Sequence, residues 1–256
     1  MNKITRLQLC LAVMTAFLIS GALFPASAQE LSLNLGEDFG LSGQIIQILL
    51  LMTVLSLAPA ILVVVTSFTR IIIVFSLLRS AMGTQQTPPN VVLISLALFM
   101  TAFIMAPTIK EAYDQGVTPL IDDQITEEEA YDKITTPFHT FMMGQVREKD
   151  LQLFIDLSRT DVPAEAADTP IQVLIPAFII SELRRAFEIG FLIFIPFIII
   201  DMIVASILMS MGMMMLPPVL ISLPFKLIFF VMVDGWHLLV GSLIQSFGTG
   251  STPPGI

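Results

Sequence analysis

The chain has 256 residues, 55% of them hydrophobic and only 13% charged, with a formal net charge of −9. An ordinary soluble domain carries about 25% charged residues, so the composition argues against a soluble globular protein, and the acidic balance argues against nucleic acid as a partner. Crossing ~30 Å of hydrocarbon takes about 20 apolar residues at helical rise; several runs reach that length, which predicts an integral membrane protein.

Residues 1–28 come first. MNKITR is a short basic start, LQLCLAVMTAFLISGAL an apolar stretch, and Ala26-Ser27-Ala28 a small-x-small site before Gln29-Glu30. That layout predicts a cleavable signal peptide with its cleavage site at Ala26 and Ala28; an uncleaved first helix is the alternative. The only cysteine, Cys10, lies inside this stretch. A cleaved chain therefore has no disulfide, no cysteine nucleophile and no thiolate metal site.

Four apolar segments follow. The first runs from about Ile45 to Leu78 and is interrupted by Pro59 and Arg70; the second, Val91 to Ala106, is stopped by Pro107. The third spans roughly Ile171 to Met209 with Pro176 and Pro196 inside it, and the fourth Val219 to Phe247 with Pro224 and Lys226. Runs this long favour helix over strand. Proline inside them predicts kinked or broken helices, since neighbours in a membrane bundle can satisfy the freed carbonyls. The expected organisation is a helical hairpin over 29–106, an acidic segment over 107–170 and a second hairpin over 171–256.

The acidic segment holds 14 of the 21 acids and 5 of the 12 bases. Within it, residues 137–158 place Phe138, Phe141, Met142, Val146, Leu151, Phe154 and Ile155 at the spacing of one amphipathic helix. Residues 161–170, DVPAEAADTP, predict a loop. A cleaved signal puts the N-terminus outside, the loop between Arg79 and Asn90 in the cytoplasm and the acidic segment outside. Arg70 and Arg79 agree with the positive-inside rule; Arg184 and Arg185, which fall near the outer face, do not.

Ionisable groups in apolar helices face a partner or an aqueous path. Glu182, Arg184, Arg185 and Glu188 stand three and four apart, a spacing that permits local pairing; burial against other subunits is the second reading. Asp201, Lys226 and Asp234 have no such local partners. In a hairpin turning near residue 215, Asp201 and Lys226 lie on facing helices, and pairing within the hairpin or between subunits is open. No catalytic residues, cofactor or metal are expected. An aspartyl protease within the membrane would want a glycine arrangement absent around Asp201 and Asp234, and neither His139 nor His237 has a ligand set nearby.

The turn between the last two segments reads MSMGMMMLPP (209–218), with five of the chain's 15 methionines: Met209, Met211, Met213, Met214 and Met215. Gly212, Pro217 and Pro218 break the helix there. Methionine is flexible and polarizable, and an apolar constriction gates a pore by dewetting. Such a turn suits a deformable seal or ordinary packing between two helices.

Three stretches resemble the FliP family of type III secretion export-gate proteins: LAPAILVVVTSFTRIIIVFSLLRSAMGTQQTPPNVVLISLALFMT (57–101), LIPAFIISELRRAFEIGFLIFIPFIIIDMIVASILMSMGMMMLPP (174–218) and LPFKLIFFVMVDGWHLLVGSLIQSF (223–247). The signal peptide is similar to the flagellar branch of that family rather than the virulence branch. The resemblance implies an all-α integral membrane protein of kinked and broken helical hairpins that assembles into an oligomeric channel. It implies a core subunit of the flagellar export gate in the bacterial inner membrane, at the flagellar basal body, with the acidic segment in the periplasm. The implied partners are further copies of the chain, FliQ, FliR, FlhB and FlhA, membrane lipid, and the unfolded flagellar proteins that pass through. It also implies that Met209–Met215 form a gasket, and that much of the helical assembly sits above the bilayer plane. The competing reading is a small-solute transporter or channel, although no inverted repeat marks a transporter site.

Overall fold

The computed structural model describes residues 41–158, 169–213 and 216–248, and among these every regular element is a helix. They are α1 (Leu41–Val64), α2 (Phe68–Met82), α3 (Asn90–Ala112), a π-helical turn (Tyr113–Val117), α4 (Thr118–Ile121), α5 (Glu127–Gln145), α6 (Glu148–Ser158), α7 (Ile171–Ser210), α8 (Pro218–Met232) and α9 (Gly235–Gln245). The chain divides into one part ending at Val54, which holds the first turns of α1, and another from Leu55 onward that contains everything described below.

Two helical runs are long and apolar enough to cross a membrane, Asn90–Ile121 and Ile171–Ser210; α8 and α9, bent by 62° at their junction, together make a third candidate. The molecule is an all-helical membrane protein. At 1.5 Å per residue, the 40 residues of α7 span about 60 Å, roughly twice the hydrocarbon thickness. The helix is therefore longer than the apolar layer is thick, and Arg184 and Arg185 in its first half need not lie within the hydrocarbon.

The centre of the larger part is α2. Its buried residues Arg70, Ile71, Val74, Phe75, Leu78 and Ala81 recur at three- and four-residue steps, so a single face turns inward. That face packs on α7, α3 and α8, with Leu93, Ala97, Met100 and Ile104 of α3, Phe197 of α7 and Phe230 of α8 in the same core. Between membrane helices lipid competes as an equally apolar neighbour, so close packing decides the association. Gly190 on α7 illustrates this: an added Cβ would stand 2.2 Å from Leu77 Cδ1 on α2. A second core joins Met142 on α5 to Leu174 and Phe178 on α7, with Val65 just past α1.

Thr126 opens α5 with a capping box. Its hydroxyl accepts the Glu129 N–H at 3.3 Å, while the Glu129 carboxylate accepts the Thr126 N–H at 3.1 Å. Glu127, Glu128 and Glu129 fill the first turn, where acids favour the helix dipole.

The chain breaks in other places than its prolines suggest. The first apolar run divides at Val65–Ser67, and neither Pro59 nor Arg70 interrupts a helix. The second run is not stopped by Pro107: α3 continues through it to Ala112. Likewise α7 is one element through Pro176 and Pro196. Residues 137–158 form no single amphipathic helix. They belong to α5 and α6, parted where Val146 takes an extended conformation and the Arg147 N–H turns to the Ser181 hydroxyl. Of the loop expected over 161–170, only Thr169 and Pro170 are described, and they are non-helical. The proposed cleavage residues Ala26 and Ala28 lie outside the described residues.

Candidate functional site

The charged residues of the apolar helices are sorted into distinct groups. At the first, Arg70 on α2 is fully buried against fully buried Glu182 on α7. Its Nε donates to Glu182 Oε2 at 2.8 Å and its Nη2 to Glu182 Oε1, a bidentate pair. Nη2 also reaches Gln145 Oε1 at 3.0 Å, and Nη1 donates to both the carbonyl and the hydroxyl of Ser246, at 3.2 and 2.8 Å. All five guanidinium N–H groups thus have acceptors. The Phe247 ring closes the face of the guanidinium, 3.7 Å from Cζ to the centroid. Gln145 is itself held by the Phe247 carbonyl at 3.1 Å and by Arg185 Nη1 at 3.3 Å.

This hub was not legible as a site from sequence. Spacing pairs Glu182 with Arg185 on one helix; the structure gives Glu182 a partner 112 residues away and leaves Arg185 on Gln145. The missed signal is a lone base, Arg70, in one apolar run and an acid in another. Of the local pairs, Arg184–Glu188 forms, with Nε to Oε1 at 2.9 Å. Both side chains are about 60% exposed, and an exposed i,i+4 pair contributes only about 0.3–0.5 kcal/mol.

The second buried group locks the α7–α8 hairpin. Lys226 Nζ donates to Asp201 Oδ2 at 2.6 Å and to the Ala81 carbonyl in the last turn of α2 at 3.2 Å. Ser222 Oγ donates to the other carboxylate oxygen, Asp201 Oδ1. Subunit pairing was one expectation for Glu182, Asp201 and Lys226; each has a charged partner inside its own chain. Asp234 stands apart, exposed at the α8–α9 bend and in the left-handed region at φ 50°, without a side-chain bond to the helix it precedes.

The methionine turn sits about two helical turns beyond the Asp201–Lys226 lock. Gly212 ends α7 at φ 73° in a Schellman arrangement: the Met213 N–H bonds the Leu208 carbonyl at 3.0 Å and the Gly212 N–H the Met209 carbonyl at 3.1 Å. Glycine takes that left-handed backbone without the strain a Cβ adds. Pro217 and Pro218 then start α8, Pro218 at the position where a missing N–H costs nothing. The described methionines are all open, Met209 57%, Met211 65% and Met213 41% exposed; Met214 and Met215 lie outside the described residues. Ordinary core packing within one chain does not account for them.

A third polar group fastens the acidic segment. Arg147 donates to both oxygens of Asp150 at 2.8 Å, and the Ser181 hydroxyl on α7 donates to Asp150 at 2.6 Å while accepting the Arg147 N–H at 3.0 Å. Burial favours the neutral acid, but the hydrogen bonds from Ser181 and Arg147 and the positive charges nearby outweigh it. They hold the Asp150 carboxyl below the usual carboxylate range.

A sequence model of the FliP family matches residues 51–243, which takes in α2, α3, both charge locks and the methionine turn. The chain belongs to the FliP family. Over 236 residues it is 57% identical to the flagellar biosynthetic protein FliP of Caulobacter vibrioides, covering 91% of this chain and 89% of that protein. It is likewise 57% identical over 202 residues to the Bacillus subtilis protein of that name (79% of this chain, 91% of that one). With the Agrobacterium fabrum protein of that name it shares 52% over 227 residues (87% and 93%). These matches span the acidic segment as well as the apolar helices.

Two outcomes follow for this FliP-family chain. Arg70→Met or Glu182→Gln alone leaves a buried charge uncompensated and should destabilise the detergent-solubilised protein by about 3–5 kcal/mol. The double substitution Arg70→Met/Glu182→Gln should cost clearly less than the sum of the two singles; additive losses in thermal unfolding would contradict the pairing. For Asp150 the depressed carboxyl stabilises the fold above the ordinary aspartate value of about 3.9, and that contribution is lost as pH falls through the lower folded value. The stability gap between the unsubstituted chain and Asp150→Asn should thus be constant near neutrality and shrink below about pH 4; a gap that widens on acidification would refute the sign.

Proposed function

We propose that this FliP-family chain is a pore-forming core subunit of the flagellar protein export gate in the bacterial inner membrane, and that the methionine turn is the seal of its channel. On this reading further copies of the chain, with FliQ, FliR, FlhB and FlhA, surround a path through which unfolded flagellar proteins leave the cytoplasm. The acidic segment faces the periplasm. The relatives' name supplies the link to flagellar biosynthesis, and no catalytic step is assigned to the chain itself.

The observation that carries the reading is the exposure of Met209, Met211 and Met213 on a turn whose base is locked. An export seal has two opposed requirements. It must exclude water and ions when idle, for which an apolar constriction is enough. It must also yield to a polypeptide of any sequence, for which unbranched thioether chains are better suited than stiff β-branched ones. Lys226, Asp201 and Ser222 hold the two helices in register, so the side chains at the tip can rearrange without the hairpin opening. The outer face of α7, with Phe187, Phe191, Leu192, Ile199 and Met202 exposed, supplies apolar surface for neighbouring chains or lipid.

The test is small-ion leakage across the inner membrane of cells in which Met209, Met211 and Met213 are changed together to alanine, with membrane level and assembly measured in parallel. The assembled variant should leak several ions or small solutes that the unsubstituted gate retains. A variant that assembles normally and stays tight would move the seal to other residues.

A further inference from the structure

We propose that Met209, Met211 and Met213 are a sulfoxidation site, and that their oxidation by a hydroperoxide opens the seal assigned to this turn; the proposal rests on that reading and adds a redox control to it. Methionines elsewhere in the chain make the contrast. Met82, Met100, Met105 and Met142 are buried within the helical body. The three of the turn stand in the open, with Ser210, Gly212, Leu216 and Pro217 exposed beside them. A thioether is oxidised where an oxidant reaches it, and these three are within reach. No cysteine, histidine or aromatic residue lies between Phe197 and Phe225, so methionine is the oxidisable side chain of the turn. Met202 and Met232 are exposed too, but they lie on α7 and α8 and not on the turn.

The step is an oxygen-atom transfer. The sulfur lone pair attacks the outer oxygen of the hydroperoxide; an S–O bond forms as the O–O bond breaks. The departing oxygen takes the proton of the transferred one and leaves as water or an alcohol. Sulfur loses two electrons and the peroxide gains them. The product keeps the length of the side chain but replaces a soft apolar group by a polar one that accepts hydrogen bonds. Donors for it are scarce at this turn. The backbone N–H groups of Met211, Gly212, Met213 and Leu216 are all committed to carbonyls. The Ser210 hydroxyl donates to the Ile207 carbonyl at 2.7 Å, and Pro217 and Pro218 have no N–H to give. A sulfoxide oxygen here is therefore satisfied by water or left unpaired at a cost. Drawing water in is what defeats a constriction that closes by dewetting.

The base of the hairpin is untouched by this chemistry. Asp201, Ser222 and Lys226 hold α7 to α8 through groups that a hydroperoxide does not oxidise. Polarity changes at the tip while the lock keeps its register, so the seal opens without loss of the fold. The change is also reversible, because methionine sulfoxide reductases return the thioether. In that step the S–O bond breaks, the oxygen leaves as water and two thiols of the reductant become a disulfide.

The test compares cells carrying the unsubstituted chain with cells carrying Met209→Leu, Met211→Leu and Met213→Leu together. Leucine stays apolar at similar volume and has no sulfur to oxidise. Both strains are treated with hydrogen peroxide, and ion leakage across the inner membrane is read against each strain's own untreated leak. A strain lacking the chain gives the background. Mass spectrometry of the purified chain counts the oxygen atoms added at each methionine. The unsubstituted chain should gain oxygen at Met209, Met211 and Met213 ahead of Met82, Met100 and Met105, and its leak should rise several-fold. Sulfoxide reductases with a thiol reductant should lower that leak again in membrane vesicles, and the leucine strain should show little rise at all. Three results overturn the proposal: full sulfoxidation with an unchanged leak, no oxygen at the turn at a dose that oxidises Met202 or Met232, or an equal rise in both strains. The alanine variants described above separate this failure from that of the seal. If they leak and peroxide does nothing, the redox control alone is wrong; if they stay tight, the seal reading fails and this proposal with it.

Discussion

The Arg70–Glu182 pair is the constraint around which the rest of this molecule is arranged. Two opposite charges with no solvent exposure are costly to bury, and their mutual attraction alone offsets that cost incompletely. Here the surrounding groups complete the balance: a bidentate carboxylate, the Gln145 amide, two oxygens of Ser246 and the face of Phe247. Those acceptors come from α7, the end of α5 and the chain following α9. One guanidinium therefore fixes where four distant pieces of sequence meet, and the apolar residues of α2 pack around it. Apolar surface alone would specify this arrangement weakly, because in a membrane hydrocarbon is an equally good neighbour.

The same logic recurs farther along α7. Lys226 reaches both Asp201 and the Ala81 carbonyl in the last turn of α2, so the α7–α8 hairpin is bound to the central helix by a charge and not by side-chain fit alone. Beyond that lock the chain carries no further ionic tie up to the methionine turn. Gly212 and the two prolines give the turn its shape through backbone geometry and leave the thioether side chains outside any core. A rigid base and a soft tip are the physical division that a deformable seal needs.

Much of this architecture can be read in the amino-acid order, though unevenly. Helical class and membrane character follow from the length of the apolar runs, and the turn at 209–218 from its glycine and prolines. Helix ends were harder to read. Pro107, Pro176 and Pro196 look like breaks and are not, because a bundle can satisfy a carbonyl that has lost its donor. The break at Val65–Ser67 has no proline or glycine to mark it. Partners were the least legible. The i,i+3 and i,i+4 rule found Arg184–Glu188, which matters little at the surface, and assigned Glu182 to the wrong base. Which base meets which acid depends on how α2 crosses α7, and that crossing is set by contacts such as Gly190 on Leu77, which no local spacing encodes.

The central claim is that the chain is an essential wall of the flagellar export path, and the most direct measurement is made in a strain that lacks it. Flagellar filaments and secreted flagellar subunits would be quantified, with the chain restored from a plasmid as control. The account predicts that filaments and secretion are both lost and that the plasmid restores them. Normal filaments and secretion in the deletion strain would contradict it.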